Sequence, residues 1–415
     1  MSKTICEYPF TSIAVRDYTS DGKLRSFWPC CMMGNLTLDD IAKNRSFADI
    51  KRLAIPYSPA ELTPEEIFNH PAMERLRQNL IHGVRDRACN GCWEQEDRGI
   101  KSFRQIKTEN KTVEEIVQNK QLRVIDMSIS NACNLRCRMC HPAASNALMI
   151  DYRFFEQNGL LDKVGESAQR WALSHYKTYK LSDVKQWQWL TENTDKFDEL
   201  RLSGGEPFYN PTVLDFLDKA IADGTAKNIK LAFHTNATLF TDEILDKLEH
   251  FKTEFNFSID GCGKPYNLIR YPATWEELDT SVRRFIDRIK PEMVHFNFVM
   301  MIPNIFNLPD FVRWVASLNI NNSISFAEVH WQTRGISLRH LSIELLKEAY
   351  TEIEAIANEH KDLTTGNALN IIRDAIDNNL GEKDKTLQEL EMFDLARKQN
   401  FRDFVDPRIT KWLDN

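Results

Sequence analysis

Between about residues 120 and 335, short alternating or apolar runs are separated by longer runs whose apolar residues recur every three or four positions. The first pattern is typical of strands and the second of helices. The predicted strands cover residues 123–130, 199–203, 229–235, 254–259, 294–300 and 323–330. The predicted helices cover residues 211–222, 242–250, 275–288 and 308–318. Repeated strand–helix units predict parallel strands, in an open doubly wound sheet or a barrel, and either architecture binds ligands at the carboxyl ends of its strands.

Two further regions flank these units. In the first, a strand over residues 10–16, a turn at residues 20–22 and a second apolar run ending at Trp28 predict a hairpin. A helix is predicted over residues 64–84 from the spacing of its apolar residues. The last region is polar and has helical periodicity. The sequence therefore predicts a division into residues 1–117, 118–335 and 336–415.

The connection over residues 149–198 is long for a strand–helix unit and rich in Trp and Tyr. Two interpretations stay open: amphipathic helices that pack on the sheet, or a lid over a substrate.

The charge balance of the chain narrows the classes of function. The 415 residues include 53 Lys and Arg and 60 Asp and Glu, a net charge of −7. An acidic chain is a poor candidate for sequence-independent nucleic-acid binding, which needs a basic surface. No run reaches the roughly 18–20 apolar residues of a membrane span, and the first ten residues do not resemble a signal peptide. We therefore expect a soluble, cytoplasmic protein that does not bind membranes.

The cysteines are unevenly distributed. Eight of the nine fall within the first 140 residues, and only Cys262 lies apart from them. Cytosolic thiols stay reduced, and clustered thiols in a reducing compartment indicate metal ligands.

Three of these cysteines, Cys133, Cys137 and Cys140, share a loop directly after the first predicted strand of the central region. Thiolates hold iron–sulfur clusters, and three of them leave one iron of a four-iron cluster open to another ligand. A zinc site or a set of buried thiols is the alternative. Structural zinc usually has four ligands, and His141 could supply the fourth.

This loop resembles the cluster loop of the radical S-adenosylmethionine (SAM) superfamily, in which SAM chelates the open iron of a [4Fe-4S] cluster. Met139 occupies a position that is often aromatic in the superfamily. The resemblance implies a Gly-Gly-Glu-Pro segment at the end of the next strand, and residues 204–207 have that sequence. It therefore implies that Ser203, Gly204, Gly205 and Glu206 contact SAM, with the Glu206 carboxylate binding the amino group.

Other residues match the superfamily in order along the chain. Asn236 follows the third strand, where the superfamily has ribose contacts. Ser258 and Arg270 have the spacing seen in sulfatase-maturating relatives, in which such a pair binds ribose and carboxylate. Asn297 lies within the fifth strand, and Met301 follows near its end, where apolar residues of the superfamily flank adenine. The implied fold is an α/β partial (β/α)6 TIM-type barrel, preceded by an auxiliary-cluster module and followed by a helical C-terminal extension.

The N-terminal cysteines resemble the SPASM/twitch modules of the same superfamily, which hold an auxiliary [4Fe-4S] cluster. The implied ligands are Cys6, Cys30, Cys89 and Cys92, with Cys31 as the substitute for Cys30. In most relatives this module follows the barrel, whereas here it precedes it. Four thiolates that include one C-x2-C pair also suit structural zinc.

The resemblance implies an enzyme of oxidative or modifying chemistry. A flavodoxin- or ferredoxin-type reductant would supply the electron that cleaves SAM, and the resulting 5′-deoxyadenosyl radical would take a hydrogen atom from a peptide side chain or a small molecule. Cys262 would either return a hydrogen atom to the substrate radical or be a small buried thiol without a role in the reaction. Normal turnover by a Cys262→Ala variant would exclude the first of these. The alternative from another class is a non-catalytic zinc-binding interaction protein.

Overall fold

A computed structural model describes residues 4–18, 24–30, 55–56, 62–97, 99, 101–142, 144–164, 180–329, 334–360 and 366–415. These residues fall into two compact units. The first comprises the described residues of Met1–Ser130, Lys177–Ser203 and Thr212–Ala232, and the second those of Asn131–Tyr176, Gly204–Pro211 and Phe233–Asn415. The three-region division drawn from the sequence stays a prediction.

The described helices and strands form a mixed α/β protein whose strands are mostly parallel. The strands are β1 (Ser12–Tyr18), β2 (Leu24–Trp28), β3 (Ile55–Pro56), β4 (Val124–Ser128), β5 (Glu199–Ser203), β6 (Lys230–Thr235), β7 (Lys252–Thr253), β8 (Phe255–Ser258), β9 (Val294–Met300) and β10 (Asn322–Glu328). The helices up to residue 222 are α1 (Tyr8–Thr11), α2 (Pro64–Phe68), α3 (Pro71–Ile81), α4 (Asn90–Asp97), α5 (Phe103–Thr108), α6 (Val113–Gln118), α7 (Met149–Gln157), α8 (Lys185–Glu192) and α9 (Pro211–Ala222). The later helices are α10 (Asp242–Leu248), α11 (Gly263–Ile269), α12 (Trp275–Ile289), α13 (Leu308–Ser317), α14 (Ile343–Glu359), α15 (Gly366–Asp377), α16 (Lys383–Arg397) and α17 (Pro407–Asp414).

The sheet of the first unit has the order β3-β2-β1-β4-β5. Strands β1 and β2 pair antiparallel, which confirms the predicted hairpin pairing, while the predicted turn at residues 20–22 lies outside the described residues. Strand β1 also pairs parallel with β4, which in turn pairs parallel with β5. The sequence did not predict that an N-terminal strand would extend the parallel sheet, because strand partners far apart in the chain leave no local signal.

The single helix predicted over residues 64–84 is wrong: two helices, α2 and α3, occupy this range. Proline disfavours helical geometry in the residue before it, and His70, which precedes Pro71, is extended at φ −61° and ψ 140°. The His70 imidazole accepts a hydrogen bond from the Ala72 N–H at 3.2 Å and so caps the second helix.

In the second unit β6, β8, β9 and β10 are neighbours in that order, and the pairs β6–β8, β8–β9 and β9–β10 are parallel. Residues along β9 alternate between buried and partly exposed. The buried side chains are aromatic: Phe257 and Phe296 lie 5.8 Å apart between ring centroids, and Phe298 lies 4.9 Å from Phe311 of α13. One face of these strands therefore forms an aromatic core with the helices, and the other face is polar.

No described helix has both the length and the apolar composition that crossing a bilayer requires. Of the connection over residues 149–198, for which packed helices and a lid were both open, α7 and α8 are described, and residues 165–179 lie outside the described part of the chain.

Candidate functional site

The loop that carries Cys133, Cys137 and Cys140 belongs to the second unit and is closed by its own hydrogen bonds. The side-chain amide of Asn131 donates to the Pro142 carbonyl at 2.8 Å, and the hydroxyl of Ser145 donates to the Leu135 carbonyl at 2.6 Å. The loop's backbone is therefore held in place before any iron binds.

The three thiols of this loop lie in a buried environment. The Cys137 and Cys140 thiols share a hydrogen bond, which raises the pKa of Cys137 and lowers that of Cys140. Burial, with a contribution from Cys137, raises the pKa of Cys133 to about 12. Such thiols lose their protons when a metal binds.

The glycine pair that follows β5 lies against this loop. Gly205 has φ +62°, and a Cβ atom at this position would lie 2.2 Å from the carbonyl oxygen of Ala132, the neighbour of Cys133. The Glu206 N–H donates to the same oxygen at 2.8 Å. Only glycine combines this backbone conformation with so close an approach, which accounts for the glycine that the sequence motif has at this position.

The Glu206 carboxylate is completely buried among hydrogen-bond donors. It accepts from the Thr235 hydroxyl at 2.8 Å and from the backbone N–H groups of Asn236 at 2.7 Å and Phe208 at 3.2 Å. Burial raises its pKa to about 7 despite these donors. A cationic group beside this carboxylate, such as an ammonium group, would stabilise its ionised form.

Arg270 brings a positive charge to the thiol loop. Its guanidinium pairs with Asp260 at 2.6 and 2.8 Å and approaches the Cys137 sulfur at 3.9 Å. The other oxygen of Asp260 accepts from the Val299 N–H at 2.7 Å. Burial raises the pKa of Asp260, and the Arg270 charge opposes that rise. The Asp260–Arg270 ion pair holds the guanidinium next to the thiols, so Arg270 lies beside the three-thiol loop.

Several of the remaining predicted SAM contacts end a strand or directly follow one. The Asn236 side chain donates to the Asn134 side chain at 2.9 Å and lies 4.0 Å from the Cys133 sulfur. Ser258 is paired in register with Asn297. Ser203 ends β5 opposite Ser128 in the first unit and precedes Gly204 in the chain. Met301, also predicted to lie near adenine, is fully buried.

Sequence reasoning missed that helix α16 holds the thiol loop. Arg138, between two of the cysteines, is fully buried and donates to Asp394 of α16 at 2.5 Å. The same guanidinium donates to the carbonyls of Leu268 and Leu390 at 3.1 Å each. A guanidinium buried in this way needs such partners. In the sequence, the only local signal was an arginine between the cluster cysteines, and it did not identify Asp394 as the residue with which Arg138 pairs.

Two more arginines bind carbonyl oxygens of the same loop. Arg334, paired with Glu389 of α16, donates to the carbonyl of Arg138 at 2.6 Å and to that of Cys140 at 3.4 Å. Arg397 of α16 donates to the carbonyl of Arg136 at 2.5 Å. We call the pairs Arg138–Asp394 and Arg334–Glu389, together with Arg397, the arginine clamp.

The N-terminal cysteines form a second thiol group, which lies within the first unit. Cys6, Cys30, Cys89 and Cys92 line one cavity together with Arg104 and four apolar residues, Pro9, Pro29, Ala88 and Phe103. Burial raises the pKa of Cys6 to about 12 and also raises those of Cys89 and Cys92. The four predicted ligands, including Cys6, therefore come together, whereas the substitute Cys31 lies outside the described residues.

Among the residues that the structure describes, no three or more His, Cys, Asp or Glu side chains are placed to hold a single metal ion.

Cys262 lies at the start of α11, and its N–H donates to the Asn307 side chain at 2.6 Å. Burial raises the pKa of its thiol, and the nearby carboxylates of Asp310 and Asp279 add to the rise. Its proposed role in hydrogen donation stays a prediction.

The chain is similar in sequence to two proteins of one organism. The chain is 25% identical over 209 residues to an uncharacterized protein of Methanocaldococcus jannaschii, covering 48% of this chain and 60% of that protein. It is also 25% identical over 246 residues to a probable GTP 3′,8-cyclase of the same organism, covering 59% of this chain and 67% of the relative.

Among solved structures, the chain is similar to SuiB of Streptococcus suis with a TM-score of 0.38 and 15% identity, over 69% of this chain and 62% of that one. The family model of the Radical SAM superfamily matches residues 127–315, which include the three-thiol loop, the Gly-Gly-Glu segment, Asn236 and Arg270. Residues 127–315 are therefore similar to a Radical SAM superfamily domain.

Proposed function

We propose that this protein is a radical SAM enzyme whose Cys133, Cys137 and Cys140 hold a [4Fe-4S] cluster. The observation that carries the proposal is the contact of Gly205 and Glu206 with the loop of these thiols, through the carbonyl oxygen of Ala132. That contact joins the segment of the buried Glu206 carboxylate to the loop of the thiols, and the carboxylate acts electrostatically on Cys133. Three thiolates would leave one iron of a four-iron cluster open. The group that fits both is an amino acid such as the methionyl part of SAM.

Each residue of the site has a role in this proposal. The Glu206 carboxylate accepts hydrogen bonds from the SAM ammonium group, and Asn236 contacts the ribose. The Ser258 and Arg270 side chains bind the ribose and the carboxylate. The Cys133, Cys137 and Cys140 thiolates would hold the cluster, which would supply one electron for cleavage of the SAM carbon–sulfur bond to methionine and a 5′-deoxyadenosyl radical. The fold that surrounds this chemistry would be a partial (β/α)6 barrel with its strands' carboxyl ends at the site.

We further propose that Cys6, Cys30, Cys89 and Cys92 hold an auxiliary [4Fe-4S] cluster in a SPASM/twitch-like module. The cavity that these four cysteines share supports this proposal. Four thiolates complete the coordination of a four-iron cluster, so its role would be to transfer electrons during substrate oxidation. The substrate is then a peptide or a small molecule, and the electron donor a flavodoxin- or ferredoxin-type protein.

The decisive experiment compares three proteins after anaerobic reconstitution with iron and sulfide. We expect the wild type to hold about eight irons and to release 5′-deoxyadenosine when SAM and dithionite are added. Cys133→Ala should lose about four irons and all SAM cleavage, because the open-iron site is gone. Cys89→Ala should lose a similar amount of iron but still cleave SAM. Iron analysis and chromatography of the nucleoside measure both quantities.

Two results would overturn the proposal. Wild-type protein with a full complement of iron that releases no 5′-deoxyadenosine would exclude radical SAM chemistry. Protein that takes up zinc in both sites and no iron would instead favour the non-catalytic zinc-binding alternative.

Glu206→Gln should weaken SAM binding by about 10- to 100-fold, because a hydrogen bond to a charged group contributes about 1.5–3 kcal/mol. The amide keeps the size of the side chain and removes its charge. Equilibrium dialysis with labelled SAM measures the dissociation constant, and iron content shows whether the cluster is retained. Equal affinities for SAM in the two proteins, with equal iron, would mean that Glu206 does not bind the ammonium group.

A further inference from the structure

The second unit has a polar sheet face, most of whose residues have no role in the proposed SAM site. Parallel strands are ordinarily covered on both faces and are therefore apolar throughout. Residues 255–258, 294–298 and 323–326 of strands β8, β9 and β10 instead alternate, with a buried apolar residue at every second position and a polar one between, and only beyond them do the apolar Val299 and Ala327 follow. Because side chains alternate between the two faces of a strand, the polar residues share one face.

The strand register arranges these polar residues in two rows. His234, Asn256, His295 and Ser323 are in-register partners across four neighbouring strands. Ser258, Asn297 and Ser325 form a second row across three strands. We call these seven residues the polar face. All seven are exposed or partly exposed, although the central strands are paired on both sides.

The polar face offers many hydrogen-bonding groups but no permanent charge. It holds two asparagines, three serines and two histidines. His295 is fixed on both sides: one ring nitrogen lies 2.7 Å from the Ser323 hydroxyl and the other 3.3 Å from a carboxylate oxygen of Glu254. Side chains with this mixture of donors and acceptors match hydroxyl groups, each of which both donates and accepts.

We propose that the polar face binds the substrate of this enzyme and that the substrate is a neutral, polyhydroxylated small molecule. The inference rests on the proposed radical SAM function for the reaction, and on the polar face for the class of substrate.

Three other classes of ligand fit less well. An apolar ligand would leave the amides and hydroxyls without partners, at a cost of about 1–3 kcal/mol for each buried group. A phosphorylated ligand would need a cation, and the polar face has no Lys or Arg, while Glu254 adds negative charge next to His295. A peptide that binds as an added strand would occupy a sheet edge and leave the polar face uncovered.

The test measures binding to the full-length protein with its iron–sulfur clusters reconstituted, without SAM or reductant. The probes are myo-inositol, sorbitol and glucose, compared with GTP, a serine-containing hexapeptide and octanoate. Saturation-transfer NMR gives the affinity of each. We expect at least one of the polyols to bind, and Asn297→Leu and Ser325→Ala each to weaken that binding by about tenfold, the effect of losing roughly one hydrogen bond.

Asn370→Leu is the matched control, because Asn370 is exposed on α15 and the same amide is exchanged for the same alkyl group. Ser325→Ala removes only a hydroxyl from an exposed position, so it keeps the test valid if Asn297→Leu does not fold. Binding of GTP, the peptide or octanoate alone, binding of none of the probes, or polyol binding that both polar-face variants leave unchanged would overturn the inference. Because the assay contains neither SAM nor reductant, its failure would leave the proposed SAM cleavage untouched.

Discussion

Gly205→Ala is expected to reduce the rate of 5′-deoxyadenosine release by at least about 100-fold. The added Cβ would lie 2.2 Å from the Ala132 carbonyl oxygen, and both atoms belong to or sit directly on the backbone. To remove this collision, either the Gly205 segment or the loop that carries Cys133 must shift. A displacement of about 1 Å in a reacting group can cost about 100-fold in rate. The nucleoside assay, with iron content measured in parallel, gives the result.

The matched control for this change is Gly224→Ala. Gly224 also has a positive φ, +73°, but a Cβ there would meet nothing within 4 Å. This variant therefore has the same backbone strain, about 1–2 kcal/mol, without the collision. We expect it to cleave SAM at close to the wild-type rate. If Gly205→Ala did so as well, the close approach of residues 205 and 132 would have no part in the reaction.

Arg138→Met is expected to destabilise the protein by about 3–5 kcal/mol, the usual effect of leaving a buried charge without its partner. Methionine fills much of the arginine volume, but Asp394 would then lose a hydrogen-bonded cation. The thiol loop would also lose its connections to the carbonyls of Leu268 and Leu390. Urea denaturation measures the stability, and iron analysis should show that the variant holds less of the Cys133 cluster.

Arg402→Met is the control for the clamp, because Arg402 follows α16 and its partner Asp414 is half exposed. Exposed ion pairs contribute about 0–1 kcal/mol, so this variant should unfold close to the wild-type urea concentration. A similar unfolding midpoint and iron content in Arg138→Met would contradict the role assigned to the arginine clamp.

Local patterns were sufficient to predict most of the central elements. The strands at 199–203 and 294–300 and the helix at 211–222 have the predicted bounds, since their periodicity and their terminal residues act within a few positions. The prediction of a single helix over residues 64–84 was wrong because Pro71 interrupts the helix despite the favourable spacing of the apolar residues. The pairing of β1 with β4 joins residues more than 100 positions apart and has no periodic signature.

The candidate site, too, was predicted where its motifs are local and missed where its contacts are distant in sequence. The three-thiol loop and the Gly-Gly-Glu segment are contiguous motifs, so the sequence predicted them, and the contact between Gly205 and Ala132 gives their spacing a physical reason. The arginine clamp and the polar face were not predicted. The first depends on ion pairs between distant residues, and the second on strand register, which decides whether polar residues on different strands form rows.

The arginine clamp also has a consequence for the order of synthesis. Arg138 and its partner Asp394 are separated by 256 residues, so a ribosome that adds about 5–20 residues per second completes the cysteine loop roughly 10 to 50 s before the helix that holds it. During that interval the nascent loop has its thiols but lacks Glu389, Asp394 and Arg397. We therefore expect stable iron insertion only after α16 has been translated. In polypeptides that end before α16, the thiols would be exposed to oxidation.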